Sequence, residues 1–197
     1  MSARLSGYTM REIEYTHGYY RELAPLHATQ VLRMAGFSRP CGTGRRYLEL
    51  GCGLGLAANI HAAATGLEIW GTDFNSSHAA HARELAAEAE TGAILFDDSF
   101  AELLERRDLP QFDMIALHGI WSWVDDGARR TISEIARSHL ALGGVFYVSY
   151  NILPGWAPVL PLRHLLKLYV ESSAARDCQG RDRRSHRRRS RLCAEDG

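Results

Sequence analysis

The residues that could do chemistry start at Glu49, in the run Glu49-Leu-Gly51-Cys-Gly53-Leu-Gly55. Glycines at that spacing let a backbone turn tightly and come close to a ligand. A helix opening from the last of them would present unpaired N–H groups and the positive end of its dipole. A second acidic position, Asp73, lies in Gly-Thr-Asp-Phe-Asn, 24 positions after Glu49. A carboxylate there can accept hydrogen bonds from both hydroxyls of a ribose. Asp97-Asp98 supplies a third acidic site. In a parallel sheet all three would gather at the carboxyl ends of adjacent strands, where ligands bind. Together they point to an adenosine-containing ligand.

Two classes of nucleoside fit the glycines. The dinucleotide pattern G-x-G-x-x-G/A fails from Gly51, where Leu56 takes the last place, but succeeds from Gly53 with Gly55 and Ala58. A nicotinamide cofactor therefore stays open on spacing alone. Charge separates the two. Glu49, two positions before the first glycine, would repel a pyrophosphate, whereas it suits the ammonium and sulfonium of S-adenosylmethionine. Electrostatics favours the methyl donor.

The elements that must position these groups alternate along the chain. Residues 45–51, 67–74, 92–97, 112–119 and 143–151 read as strands bounded by Gly, Asp or Pro. Between them, 55–65, 76–90, 99–107 and 127–141 read as helices, the second opening at Ser76 and Ser77, either of which could cap it. Five strands joined by helical crossovers give an α/β fold, a Rossmann-like parallel sheet with flanking helices. The apolar runs of the fourth and fifth strands suit burial on both faces. Upstream, residues 18–36 read as helix broken near Pro25, and downstream a helix starts at about Leu160. The chain divides into a helical segment and connector (1–44), a nucleoside-binding core (45–173) and a basic, disordered tail (174–197).

Charge supports that division. Of 23 basic and 23 acidic residues, 15 and 19 lie in 1–175, a net of −4, and 8 and 4 lie in 176–197, a net of +4. Apolar residues make up 46% and charged residues 23%, which excludes a collagen, a wholly disordered chain or a disulfide-stapled miniprotein. Cys41, Cys52, Cys178 and Cys193 form no CxxC pair, so they read as free thiols in a reducing compartment. The N-terminus lacks the apolar core of a signal peptide, and no run is long enough for a membrane span. These features give a cytoplasmic expectation, with no metal and no membrane partner.

The series E-L-G-C-G-L-G, G-T-D-F-N and F-D-D-S-F resembles class I S-adenosylmethionine-dependent methyltransferases. The segments IEYTHGYYRELAP, HGIWSWV and SYNILPGW narrow the likeness to bacterial methyltransferase-domain proteins that continue into a methyltransferase regulatory domain. The resemblance covers about Tyr8 to Val170. It implies methyl transfer from S-adenosyl-L-methionine to an acceptor the sequence does not identify. Gly51, Gly53 and Gly55 would frame the methionine end, with Glu49 beside them. Asp73 would hold the ribose, and Asp98 would sit near the adenine amine. Such proteins complete the sheet with two further strands, and nothing after Asn151 has a strand pattern. The expectation is a C-terminally truncated member, which keeps open a cofactor-binding module without turnover. A nicotinamide oxidoreductase is the remaining alternative.

The acceptor side is thinner. His118 would end the fourth strand on the cofactor side and is the candidate base, useful if the acceptor is a hydroxyl or protonated amine. Trp121 and Trp123 could stack on an acceptor or simply pack a loop, and Tyr150 and Asn151 could border the pocket. Tyr15, Tyr19 and Tyr20 could close over the cofactor. His78 and His81 have metal-compatible helical spacing but no partners at ligand spacing, so they read as a solvated face. The arginine-rich tail is the only route to nucleic acid. An uncovered fifth strand, without charge or proline, would favour self-association.

Overall fold

A computed structural model of the chain describes residues 18–37, 46–170 and Ser172. The chain forms two compact units, Met1–Tyr150 and Asn151–Gly197. In the first, β1 (Arg46–Leu50), β2 (Glu68–Thr72), β3 (Ile94–Phe96), β4 (Phe112–Leu117) and β5 (Leu140–Val148) make one sheet in the order β3-β2-β1-β4-β5. Every pairing is parallel. The order reverses beside β1: the chain moves outward through β2 and β3, then crosses to β4 and β5. Such a reversal leaves a crevice at the carboxyl ends of the two strands that flank it, here β1 and β4.

The helices are α1 (Pro25–Met34), α2 (Leu56–Ala64), α3 (Ser76–Glu88), α4 (Phe100–Glu105) and α5 (Asp126–His139). A 3-10 turn at Arg21–Leu23 precedes α1, whose Pro25 sits at the helix start, where its missing N–H costs nothing. Ser99 and Glu102 form a reciprocal capping box on α4, and Asp125 caps α5 through the Ala128 N–H. The cap of α3 is Asn75 rather than Ser76 or Ser77. Its side chain accepts from the Ser77 N–H at 3.0 Å, so the cap lies just ahead of both serines while the helix starts at Ser76, as expected.

Period-two alternation along β1 divides the core. Leu48 and Leu50 join Leu103, Phe112, Ile115, Leu117, Ile132 and Ile135 on one face of the sheet. Tyr47 joins Ala57, Ala58, Ile69, Ala82 and Met114 on the other, the face covered by α2 and α3. Glu49, two residues from Tyr47, shares that second face. Strand β5 starts three residues before the sequence pattern suggests, because α5 ends at His139 and Leu140 is already extended. Phe112 pairs with Leu140 and Met114 with Val145, so residues between are looped out as a bulge carrying Gly143 at φ 79° and a fully exposed Leu142.

Among the described residues no strand follows β5 and none pairs with its outer edge. The second unit holds a helix over 160–170, with Leu162, Leu165, Leu166 and Tyr169 exposed at helical spacing. The expected disorder of 174–197 and the connector at 38–45 lie outside the described residues, as do Tyr15 and three of the four cysteines. No helix among the described residues is long and apolar enough to cross a membrane.

Gly55 shows how tightly α2 and α3 meet under the glycine turn. It caps α2 with φ 73°, and a Cβ there would lie 2.4 Å from the Ala82 Cβ and 3.1 Å from its Cα. Gly55→Ala should lower unfolding stability by about 2–5 kcal/mol, from left-handed strain plus overpacking. A urea midpoint equal to that of the parent would contradict this contact.

Candidate functional site

The glycine turn is assembled by hydrogen bonds from β2. The N–H groups of Gly51 and Cys52 both donate to the Thr72 carbonyl, at 2.8 and 3.0 Å. The Gly53 N–H donates to Asp73 Oδ2 at 3.0 Å, and the Gly55 N–H returns to the Cys52 carbonyl at 2.9 Å. Gly51, Gly53 and Gly55 all have positive φ, at 71°, 56° and 73°. Residues with a side chain pay steric energy at such angles, which is why the run is glycine. At Gly51 a Cβ would also strike the Ile120 side chain.

Asp73 is therefore a brace as well as a candidate ligand. Its Oδ1 accepts from the Asn75 N–H at 2.9 Å and lies 3.5 Å from His78 Nδ1. His78 thus serves the end of β2 and is not an idle solvated residue. No cluster of three metal-ligating side chains occurs among the described residues. Asp98, at the end of β3, has its carboxylate engaged by Arg106 at 2.8 Å, and Arg106 also lies over the Phe96 ring and pairs with Asp108. The Asp98 carbonyl accepts from the Thr72 hydroxyl, tying β3 to β2 at the carboxyl edge.

A cavity of about 30 Å³ opens where β1 and β4 diverge. It is lined by Glu49, Gly51, Cys52 and Leu56 from the glycine turn, His118 after β4, and Tyr20 and Leu23 from the N-terminal side. That volume holds about two waters, so it is the inner end of a site rather than a whole nucleoside pocket. Glu49 is only 4% exposed, and its Oε2 has no hydrogen-bond partner among the described residues. Burial pushes its carboxyl up to about 8, and the Tyr47 hydroxyl pulls it down only in part. Behind it, Tyr47 and His61 are also buried, His61 Nε2 has no hydrogen-bond partner among the described residues, and the two rings meet edge to face. Burial holds His61 down at about 4.

His118 is half-enclosed by aromatic rings. Tyr20 stacks on it at 4.3 Å between centroids, and its Nδ1 lies 3.4 Å from the Tyr147 hydroxyl. Desolvation lowers its pKa, opposed in part by Glu22, so the ring is neutral at pH 7. The structure thus brings Glu49, Gly51 and His118 to one cavity. Asp73 stands behind the turn, and Asp98 belongs to the edge beyond β2. Trp121 lies elsewhere, lining a shallow hollow with Asp126, Arg129 and Arg130, and Trp123 follows in the same turn. Tyr150 is 61% exposed at the end of the first unit, and Asn151 begins the second. Sequence reading missed Tyr47 and Tyr147 as neighbours of the site. Period-two spacing from Glu49 marks Tyr47, but nothing in the sequence pairs Tyr147 with His118.

The double use of Asp73 makes a prediction. Asp73→Ala removes two hydrogen bonds to a charged acceptor, each worth about 1.5–3 kcal/mol. Thermal unfolding should fall measurably in the protein without ligand. A variant as stable as the parent would show that the turn holds itself.

Comparisons with known proteins place this geometry in a family. The family described as "Methyltransferase domain" matches residues 48–146, from β1 into β5. An uncharacterized protein of Synechocystis sp. is 40% identical over 171 residues, covering 85% of this chain and 33% of its own length. An uncharacterized protein of Rickettsia prowazekii is 29% identical over 171 residues, with coverage of 82% and 29%. The chain thus spans about a third of the length of these relatives. Among solved structures, PKMT2 from Rickettsia typhi in complex with AdoHcy shares the fold. Its TM-score is 0.68 at 24% identity, over 81% of this chain and 31% of that one. Family match and fold agree: the chain belongs to the methyltransferase-domain family.

Proposed function

We propose that the crevice between β1 and β4 binds S-adenosyl-L-methionine and that the protein is a methyltransferase acting on an acceptor still to be identified. The observation that carries this reading is Glu49, a carboxyl buried beside the glycine turn at the inner end of the crevice. An anion such as phosphate next to it would disfavour its ionised form further, whereas an ammonium would stabilise that form and pair with it. The AdoHcy bound in the Rickettsia typhi PKMT2 structure is consistent with that choice over a dinucleotide. The likeness to methyltransferase-domain proteins that continue into a regulatory domain fits relatives about three times as long as this chain.

When bound, the cofactor supplies a methyl group made electrophilic by its sulfonium. The chain's own residues then align and exclude. Gly51 keeps the backbone open where a Cβ would collide with Ile120, and Asp73 fixes the turn while offering its carboxylate to a ribose. Alignment of this kind can lower a barrier by roughly 7–11 kcal/mol. His118, neutral and held between Tyr20 and Tyr147, can take the proton that an acceptor sheds.

Isothermal titration tests the cofactor assignment. S-adenosylhomocysteine should bind one per chain, and NAD should give no heat of binding. Tighter binding of NAD, or binding of neither, would overturn it.

The outer edge of β5, unpaired among the described residues, supports self-association as the partner reading. The Ser149 N–H reaches the Leu117 carbonyl across to β4, so by alternation the N–H groups of Phe146 and Val148 point away from β4. Val148→Pro removes one outward donor and keeps an apolar side chain of similar size. Light scattering should show a concentration-dependent mass for the parent and a smaller one for the variant. A parent that stays monomeric at all concentrations would rule the edge out.

A further inference from the structure

The cavity end of β1 holds a carboxyl group in surroundings that do not support its charge. Glu49 shares the α2 face of β1 with Tyr47, is nine-tenths buried, has one oxygen without a hydrogen-bond partner among the described residues, and lines a cavity large enough for a small cationic group. The titratable groups in this neighbourhood come from every element around it. Among the described residues they are Tyr47 on β1, Cys52 in the glycine turn, Asp73 at the end of β2, His61 on α2, His118 after β4, Tyr147 on β5 and Glu22 in the 3-10 turn. None is a cation at neutral pH. The two histidines are held neutral by burial, and the thiol and phenols have their pKa values raised, so they too stay uncharged. Of the two further carboxylates, Glu22 has the Arg21 guanidinium beside it at 3.4 Å and Asp73 accepts from the Gly53 and Asn75 N–H groups, so neither brings Glu49 a positive charge. Among the described residues Glu49 makes no salt bridge, unlike Asp98, which has Arg106.

Resting on the cofactor reading above, we propose that Glu49 is a protonated carboxylic acid in the free protein and gives up that proton to solvent when the ammonium of the ligand's amino-acid end enters the cavity. The O–H bond of the carboxyl breaks, the proton leaves to buffer, and the new carboxylate is matched by the incoming positive charge. Burial of a single charge is costly, and burial of an ion pair much less so, which is what couples the two events. The cavity then selects for charge without storing an unpaired anion.

The sign of the linkage follows. In the free protein burial lifts the carboxyl to about 8, and beside an ammonium it returns toward its ordinary 4.5. Between those values binding releases a proton, so affinity should rise up to about tenfold per pH unit toward about pH 8 and fall above it as the ligand's own ammonium is lost. An α-amino group stays an ammonium well below about pH 8, so the measurement belongs near pH 6.5.

The test is calorimetric titration of the 197-residue chain with S-adenosylhomocysteine near pH 6.5, in two buffers of different ionisation enthalpy. About one proton should be released per ligand bound. Methylthioadenosine, which keeps the nucleoside and sulfur but lacks the amino-acid end, should bind with no proton exchange. Glu49→Gln should bind S-adenosylhomocysteine more weakly and without proton release, while His118 remains to report any histidine contribution. Should Glu49→Gln not fold, the comparison of the two ligands on the parent decides alone. S-adenosylhomocysteine binding with no proton released, or equal release with methylthioadenosine or in a folded Glu49→Gln, would overturn the proposal and leave the cofactor reading standing. Failure of both ligands to bind would overturn both.

Discussion

The hydrogen bonds from the end of β2 to the turn after β1 are the constraint on which the site depends. One carbonyl, that of Thr72, accepts from two successive N–H groups, and one carboxylate, that of Asp73, accepts from a third. Each of those donors belongs to a residue that a helix or strand would otherwise have to satisfy. Without them the turn would leave buried N–H groups unpaired, at a cost of about 1–3 kcal/mol each. The register of β1 against β2, with Leu50 opposite Thr72, is what brings acceptor and turn together. The parallel sheet is thus more than a support. Its register decides where the glycines lie, and the glycines decide where α2 begins.

From that turn the crevice follows geometrically. The strand order reverses between β1 and β4, so the loops leaving their carboxyl ends diverge. Glu49 sits just inside one loop and His118 begins the other. The two groups differ in how they are stabilised. His118 has an aromatic wall and a hydroxyl neighbour, so its neutral ring is satisfied as it stands. Glu49 has no such partner for Oε2 among the described residues. Buried polar groups are normally paired, so an unpaired carboxyl oxygen on a residue that lines the cavity is the exception here that calls for an explanation.

Much of this was legible in the sequence, and the reasons for success and failure are physical. The five strands and four crossover helices came within a few residues because strand runs end in Gly, Asp or Pro and helices open at capping residues. Glu49, Gly51 and Asp73 stood out because glycine spacing and acidic strand ends are local signals. The cap of α3 is Asn75 and neither Ser76 nor Ser77, because all three are good caps and only the chain path from β2 selects Asn75. The start of β5 was hidden by a bulge, which interrupts the alternation that strand reading relies on. Asp98 looked like Asp73 in sequence, yet Arg106, eight residues on, engages its carboxylate. Tyr147 gave no sign of its role, since its meeting with His118 depends on the β4–β5 register.

The arrangement also explains why one face of β1 tolerates polar groups that the other excludes. Leu48 and Leu50 face α4 and α5 in an apolar core with no titratable member. Tyr47 and Glu49 face α2, whose inward residues are small, with Ala57 and Ala58 near the turn. Small side chains on α2 leave room at the level of Glu49 that larger ones would fill, and His61, one turn further along, closes the space with a neutral ring. Desolvation of Glu49 is therefore a product of the packing around it and not of depth alone. Ordinary close packing on that face would have expelled the carboxyl or filled its cavity. The same alanines that let α2 lie close to the sheet create the charge-poor pocket in which a cationic group would be held.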